Sequence, residues 1–228
     1  MIQATQPPPS NGRVSSHADE HYRALVRRLQ QTSKRRTPDD SPGRTSSTGG
    51  SVGAIGVTSS RRGEGVSTVA ANLAVAAAEL SLGPVVLVDA NLQQPCITDM
   101  FGLRVRADSA GFVDVLLGED VHEVLVSTDV FNLSVMTPGK SGENRQLLND
   151  RSAIQNTLDQ LHADFEWIIF DLPPATELSE CFALSGQLDG VLMVVQADGP
   201  PREIVRRACR ELEIAGANVL GAVLNKHK

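Results

Sequence analysis

The sequence predicts an α/β domain with a doubly wound, mainly parallel sheet and helices on both faces. From residue 53 onwards, short runs of Val, Ile and Leu alternate with helical segments. Strands that are apolar at every position are buried on both faces, which is typical of parallel sheets between helices. Hydrophobic residues make up 41% of the chain and aromatic residues only 4%, so the core must consist mainly of Val, Leu, Ile and Ala.

Three segments precede this domain, which is predicted to span residues 53–228. Residues 1–16 are rich in Pro, Ser, Gln and Asn and are predicted to be disordered. Residues 17–30 are predicted to form a short helix, because apolar side chains recur at helical spacing. Residues 31–52 contain Pro, Gly and Ser and are predicted to be a flexible linker. The apolar face of the helix consists of Tyr22, Leu25, Val26 and Leu29.

Within the domain, the pattern predicts strands and helices in regular alternation. The strands are expected at residues 54–59, 85–90, 132–137, 166–174, 190–197 and 218–226. Helices are expected at residues 69–80, at the three short segments 97–103, 112–120 and 121–127, and at 145–163 and 201–217. A glycine-rich turn, residues 60–68, connects the first strand to the first helix.

The charge distribution excludes some classes of partner. Residues 1–50 carry a net charge of +4 and the remainder carries −10, which together give −6. An acidic body argues against nucleic-acid binding. The basic arm is compatible with contact to an acidic membrane surface or a protein partner, but its composition favours a solvated, flexible segment.

The sequence shows no targeting, membrane-spanning or metal-binding cysteine pattern. The first residues lack the apolar stretch of a signal peptide, and no run of 18 apolar residues occurs. Cys96, Cys181 and Cys209 form no CxxC pair and have no accompanying His cluster. They are therefore predicted to be free thiols in a reducing compartment.

The glycine-rich turn, SSRRGEGVST, carries the main functional signal. A phosphate loop needs glycines so that backbone N–H groups converge on a phosphate in front of a helix N-terminus. It also uses a lysine on the β- and γ-phosphates and a Ser or Thr hydroxyl on Mg²⁺. Gly63, Gly65, Ser67 and Thr68 fit, but Val66 occupies the lysine position. Alone, this turn is also compatible with an ordinary strand-to-helix connection.

Two further strands are predicted to end in carboxylates. Asp89 follows VVLV and Asp171 follows WIIF. Ligands bind at the carboxyl ends of parallel strands, where such acids can hold Mg²⁺ or its water or act as a base. Each is also compatible with a solvated strand-end aspartate. Together with the loop, they predict a P-loop nucleotide site.

These motifs resemble the bacterial tyrosine kinases (BY-kinases) of capsule and exopolysaccharide export, such as the CpsD, CapB and Wzc kinase domains. Those proteins belong to the P-loop superfamily of the MinD and ParA ATPases. The resemblance rests on IGVTSSRRGEGVSTVAANLA, VVLVDANLQQP, WIIFDLPP and DGVLMVVQA…GANVLGAVLNK, and extends over about residues 17–228. The segment EHYRAL resembles the helix through which these kinases assemble into rings, so residues 17–30 are expected to support a homo-oligomer.

The resemblance implies ATP or ADP and Mg²⁺ as ligands. Gly63, Glu64 and Gly65 would line the phosphates, and Asn225 would lie against the adenine. Arg61 and Arg62 could also swing onto the phosphates. The implied nucleotide-binding set is Arg61, Arg62, Gly63, Glu64, Gly65, Val66, Ser67, Thr68 and Asn225. The implied metal set is Ser67, Asp89 and Asp171, of which the two aspartates would also activate the attacking hydroxyl.

Several departures from the family pattern weaken the expected chemistry. The loop lysine is Val66, and Tyr22 is the one tyrosine of the chain, whereas family kinases usually carry a C-terminal tyrosine cluster. Loss of a preorganised donor to a transition state typically lowers the rate about 10²–10³-fold. The departures therefore predict weak nucleotide binding and slow or absent phosphoryl transfer. In the motif after the second strand, Asn91 replaces a second acid of the family pattern, and Gln93 and Gln94 replace two basic residues. In the assembly helix, Val26 replaces an arginine.

The leading hypothesis is a kinase-like, catalytically degenerate regulator of exopolysaccharide, capsule or holdfast synthesis and export. It would act in the cytoplasm at the inner face of the plasma membrane, with the cytoplasmic segment of a Wzz/Wzc-like polysaccharide co-polymerase. One alternative is an active ATP-dependent protein-tyrosine kinase that phosphorylates Tyr22 or another protein. Another is a MinD- or ParA-like positioning ATPase. The acidic body and the assembly helix count against the last of these.

Overall fold

The structure is a computed structural model, and it describes residues 2–3, 19–33, 53–80, 83–106, 108–140, 145–176 and 179–226. The helices and strands follow in the order β1 (Ile2–Gln3), α1 (Glu20–Ser33), β2 (Gly53–Ser59), α2 (Val66–Glu79), β3 (Val85–Asp89), α3 (Ile97–Phe101), α4 (Phe112–Leu116), α5 (Val121–Val124), β4 (Leu125–Ser127), β5 (Leu133–Met136), a 3₁₀ helix (Arg145–Asn149), α6 (Arg151–Asp164), β6 (Trp167–Asp171), α7 (Ser179–Ser185), β7 (Gly190–Gln196), α8 (Arg202–Ile214) and β8 (Val219–Asn225).

All eight strands form one sheet in the order β1-β8-β7-β2-β6-β3-β5-β4. Every neighbouring pair is parallel except β4 and β5. One apolar cluster joins the sheet to α4, α5, α6, α7 and α8, and a second joins it to α1, α2 and α3. The predicted fold class, a mainly parallel sheet covered on both faces, is confirmed. Its central strands β2, β3 and β6 are buried at every position.

Some element boundaries differ from the prediction. Helix α2 begins at Val66, three positions before the predicted start, because the left-handed Gly65 ends the loop directly before it (φ 93°). The predicted helical segment 121–127 becomes a helix for four residues and then the short edge strand β4. The three residues of β4, Leu125, Val126 and Ser127, pair antiparallel with β5. Helix α7 was not predicted.

The predicted N-terminal boundaries are corrected in two places. Ile2 and Gln3, within the predicted disordered segment 1–16, pair in parallel with β8, because β8 would otherwise leave an unpaired strand edge. Helix α1 runs through Ser33, so its last turn includes residues assigned to the linker. The remainder of the tail and residues 34–52 lie outside the described residues. None of the helices in the described ranges is both long and apolar enough to cross a membrane.

Helix α1 packs against α2. Its predicted apolar face is confirmed, since Val26 has no exposed surface and its apolar neighbours on that face are also buried. On the edge of this contact, the Arg23 guanidinium Nη2 donates to Glu79 Oε2 at 2.8 Å. The opposite face is exposed, and there Arg27 and Glu20 form an ion pair at 3.5 Å. Homo-oligomer formation through this helix remains a prediction for that exposed face.

Substitution of arginine for Val26 should detach α1 from the domain. Val26 has no exposed surface. An arginine there would either bury its guanidinium without a hydrogen-bond acceptor or force the helix away from the domain. We expect a loss of about 2–4 kcal/mol in the free energy of unfolding, measured by urea denaturation. Ala24→Arg on the exposed face of the same helix is the control and should change stability by less than about 0.5 kcal/mol. Equal stability of the two variants would contradict the packing of α1.

Candidate nucleotide-binding site

The loop between β2 and α2 has the backbone geometry of an anion site. Gly63 and Gly65 adopt left-handed conformations, with φ of 80° and 93°. A Cβ on Gly65 would lie 2.1 Å from Asn225 Nδ2, so no larger residue fits there without a shift. Gly65 is also the N-cap of α2 and has no side chain to accept from the first-turn N–H groups. These donors and the helix dipole therefore favour an anion at this position.

Glu64 holds the loop from within. Its carboxylate is buried and accepts hydrogen bonds from Ser60 Oγ at 2.9 Å and from Arg61 N at 2.8 Å. Its other oxygen accepts from Gln196 N at 3.1 Å, at the end of β7. The side chain therefore points into the protein, and only the backbone of Glu64 is positioned to line a phosphate.

The end of β8 holds the same loop from outside. Asn225 Nδ2 donates to the Glu64 carbonyl oxygen at 2.8 Å. Lys226 Nζ donates to the Gly63 carbonyl oxygen at 2.6 Å. Two consecutive residues at the end of β8 thus bind consecutive carbonyls of the loop. The structure gives Asn225 a supporting role in the loop, and its contact with adenine remains a prediction.

The two predicted strand-end carboxylates lie side by side in the structure. Asp89 and Asp171 are paired in register at the ends of β3 and β6, and neither has exposed surface. Asp89 Oδ2 accepts from the backbone N–H groups of Cys96 at 3.0 Å and Ile97 at 3.1 Å. Asp89 Oδ1 and both oxygens of Asp171 have no hydrogen-bond partner of normal geometry among the described residues. Buried carboxylate oxygens without donors fit a cation.

Burial and mutual repulsion disfavour the charged form of this pair. Burial raises the pKa of Asp89 to about 6, against the opposing effect of the backbone N–H donors. Burial, and then the charge of Asp89, raise the pKa of Asp171 well above its usual range, while the nearby Ser67 hydroxyl acts in the opposite direction. The thiol of Cys96 lies in the same environment, and burial raises its pKa to about 11. A divalent cation would relieve the repulsion between the carboxylates.

The predicted metal ligands, Ser67, Asp89 and Asp171, therefore lie near one another, but they supply few oxygen atoms. In the described part of the chain, no group of three or more His, Cys, Asp or Glu side chains could hold a metal ion. Two carboxylates and the Ser67 hydroxyl fit Mg²⁺, which keeps several waters and takes further oxygens from phosphates. Softer metals with dedicated protein ligands do not fit this donor set.

The position of the loop lysine is apolar and partly closed. Val66 is half-buried and packs against the apolar cluster formed by α1, α2 and their face of the sheet. Arg61 and Arg62 are both exposed at the loop. Arg62 Nη2 donates to the side-chain oxygen of Gln93, in the turn that follows β3. Thr68 is half-buried within α2, and its carbonyl oxygen accepts from Asn72 Nδ2 at 2.8 Å.

Comparison with known proteins agrees with this geometry. A family model described as "ParA: NUBPL iron-transfer P-loop NTPase" matches residues 52–228. The tyrosine-protein kinase YwqD of Bacillus subtilis (strain 168) is 30% identical over 173 residues, which cover 75% of this chain and 71% of YwqD. The chain belongs to the bacterial tyrosine kinases of the ParA-like P-loop NTPases.

Two further matches extend this assignment. The succinoglycan biosynthesis transport protein ExoP of Rhizobium meliloti (strain 1021) is 27% identical over 176 residues, covering 75% of this chain but 22% of ExoP. The crystal structure of the chimerical protein CapA2B2 superposes with a TM-score of 0.75 and 27% identity, covering 91% of this chain and 84% of that chain. Homologues of this BY-kinase domain thus occur in polysaccharide biosynthesis and export.

The sequence missed three residues that shape this BY-kinase site. Gln196 and Lys226 contact the loop through the strand order, which places β7 beside β2 and β8 beside β7. Cys96 donates its backbone N–H to Asp89. The sequence pattern offered one indication of their role. All three residues lie at or beyond the ends of strands β7, β8 and β3, where ligands of parallel sheets bind.

Proposed function

We propose that this chain is a kinase-like regulatory component of bacterial surface-polysaccharide synthesis and export, with weak nucleotide binding and no tyrosine phosphorylation. The observation that carries this proposal is Val66, half-buried and packed on the apolar core at the lysine position of the phosphate loop. A loop lysine contacts the β- and γ-phosphates. Without it, the site retains its backbone donors but loses a charge aimed at the transferred group.

The remaining residues fit a bound nucleotide with Mg²⁺. The first-turn N–H groups of α2 would hold a phosphate, and Ser67, Asp89 and Asp171 would hold the metal. When bound, Mg²⁺ would neutralise charge on the phosphates and on the two buried carboxylates. The scaffold supports binding better than transfer, because transfer also needs positive charge on the γ-phosphate.

The chain offers a poor phosphate acceptor of its own. Tyr22 is the one tyrosine of the sequence, and its side chain is 8% exposed in the contact between α1 and α2. Burial raises its pKa to about 12. Phosphorylation of Tyr22 would therefore require α1 to leave α2 first, which argues against autophosphorylation in the folded state.

The proposed partner is the cytoplasmic segment of a membrane polysaccharide co-polymerase, at the inner face of the plasma membrane. The match to the transport protein ExoP supports this proposal. The carboxyl edge of the sheet and helix α1 are the proposed contact surfaces, because the nucleotide site lies at that edge. Binding there would let nucleotide state and partner state influence each other through linkage.

The test is a phosphotyrosine blot of the purified protein with Mg·ATP, together with ATP turnover. We expect no signal above that of Asp89→Ala and Asp171→Ala, the variants that remove the metal-binding carboxylates. A robust signal that both substitutions abolish would overturn the proposed loss of kinase activity. It would instead establish the second candidate, an active tyrosine kinase, which the intact carboxylate pair favours. An exogenous tyrosine copolymer added as substrate separates absent catalysis from an absent acceptor.

A further inference from the structure

The phosphate site contains an apolar side chain where a cation would meet the phosphates, so any compensating charge must come from another position. Such a charge has a role only if nucleotide binds as proposed above. Among the described residues, three cationic side chains border the loop: Arg61, Arg62 and Lys226. They differ in where the structure holds the charged group.

Lys226 lies on the wrong side of the loop. Its ammonium group donates to the carbonyl oxygen of Gly63 at 2.6 Å. In a planar trans peptide, this carbonyl and the N–H of the next residue point in opposite directions. The N–H groups of a phosphate loop converge on the anion, so the Gly63 carbonyl and its lysine lie on the outer side. Lys226 therefore supports the loop from behind.

Arg61 also has no anchor in the site. Its backbone N–H donates to the Glu64 carboxylate, but its exposed side chain has no hydrogen bond or ion pair to any described residue. A solvated guanidinium on a loop would lose side-chain entropy on contacting a ligand. Arg61 therefore differs from its neighbour in orientation, although both carry the same charge.

Arg62 connects the phosphate loop to the turn that follows β3. Its guanidinium reaches from the phosphate loop to the side chain of Gln93, in the turn between Asp89 and α3. Asp89 lies directly before that turn and belongs to the metal-binding pair. The positive charge is thus held between the phosphate loop and the turn that follows Asp89, one of the residues that would hold Mg²⁺. Gln93 is neutral, so this hydrogen bond orients the guanidinium and does not itself cancel its charge.

We propose that Arg62, positioned by Gln93, supplies the phosphate-binding cation that Val66 does not. A guanidinium carries five N–H donors in a planar fork, a geometry that suits phosphate oxygens. The charge of the site has been relocated from the first turn of α2 to the loop in front of it. An arginine in this position binds phosphate, but it approaches from the solvent side and remains more screened than a loop lysine.

Calorimetric titration of the full chain with Mg·ATP and with Mg·ADP tests this proposal. Arg62→Gln should weaken binding about tenfold or more, the loss expected for a charge-assisted hydrogen bond. Arg61→Gln, the same change of charge one residue away, should weaken binding less than Arg62→Gln does. Arg210→Gln, at an exposed position of α8 outside the site, is the matched control and should stay within about twofold. Both loop positions are exposed, so thermal melting should show equal folding of the two loop variants.

The Arg62→Gln substitution, tested in a Val66→Lys variant, distinguishes a direct contact between Arg62 and the phosphates from a general effect of charge. In Val66→Lys, the introduced ammonium group contacts the phosphates. Adding Arg62→Gln to this variant should therefore reduce the affinity for nucleotide less than the same substitution does in the wild type. Equal losses for Arg62→Gln and Arg61→Gln, or binding only by Val66→Lys, would overturn the role of Arg62 and leave the proposed function intact. Failure of both wild type and Val66→Lys to bind would instead remove nucleotide binding from the proposed function.

Discussion

Val66→Lys is expected to raise the affinity for Mg·ATP by about 10- to 100-fold, the range of one or two charge-assisted hydrogen bonds. The substitution places an ammonium group on the first turn of α2, which begins at Val66. The rest of the loop already has its shape, because Glu64 holds it from within and Asn225 and Lys226 hold it from outside. Little binding energy is then spent on ordering the loop.

The measurement is calorimetric titration of wild type and variant under the same magnesium and salt concentrations. Val66→Met is the matched control, since methionine is unbranched and apolar and also relieves the β-branched side chain at the helix start. Its affinity should stay within about threefold of the wild type, because it adds no charge. If Val66→Lys gains no more than Val66→Met, the decay of the site extends beyond the loop, to Asn91 or to the carboxylate pair.

Only some of the features that support this gain in affinity could be predicted from the sequence. The apolar runs predicted the central strands, because burial on both faces requires apolar residues at every position. The same alternation placed Asp89 and Asp171 at strand ends, whereas the adjacency of these two strands, β3 and β6, required the structure. The start of α2 at Val66 was missed, because the positive φ of Gly65 does not appear in hydrophobic periodicity.

The contacts around the loop required the strand order. Lys226 and Gln196 are distant from the loop in sequence and contact it because β8, β7 and β2 are neighbours. Alternating strands and helices are compatible with several strand orders. The inward direction of the Glu64 side chain has the same cause, since its acceptor oxygens bind a donor from β7 as well as donors from the loop.

The bridge from Arg62 to Gln93 gives a structural role to a departure from the family pattern. Gln93 stands where the resemblance leads one to expect a basic residue, and by sequence it counts as a loss. In the structure, its side-chain oxygen binds the Arg62 guanidinium. A basic residue at this position would repel that guanidinium. The departures at Val66 and Gln93 are therefore coupled through Arg62, and their effects on binding are not expected to be additive.

Asp89→Asn is expected to stabilise the metal-free protein at neutral pH by about 2–3 kcal/mol, because a change of one in a pKa corresponds to about 1.4 kcal/mol. The pKa of Asp89 is raised from 3.8 to about 6, chiefly by burial. An asparagine keeps an oxygen for the N–H groups of Cys96 and Ile97. Its amide nitrogen could donate to Asp171, whose oxygens have no hydrogen-bond partner of normal geometry among the described residues.

The sign of the pH dependence follows from the raised pKa. Below about pH 3.8, this carboxyl is protonated in both folded and unfolded states, so it imposes no penalty. Between about pH 3.8 and 6, the unfolded state loses the proton while the folded state retains it, so stability falls as the pH rises. Above about pH 6 the penalty is constant. The stability difference between Asp89→Asn and wild type should therefore grow from near zero at about pH 4 to its full value above about pH 6.

Urea denaturation in EDTA at several pH values measures this difference. Asp99→Asn, an exposed carboxylate on α3, is the control and should shift stability by less than about 0.5 kcal/mol at any pH. Adding Mg·ADP should stabilise the wild type and leave Asp89→Asn unchanged, because ligand that binds only the folded state adds to its stability. Wild type that is more stable than Asp89→Asn in EDTA at about pH 8 would mean that the carboxylate pair is held by partners within the protein. Carboxylates held in this way would not need a cation to offset their charge. A metal-free wild type that is less stable than Asp89→Asn would therefore link the buried charge of the pair to metal binding.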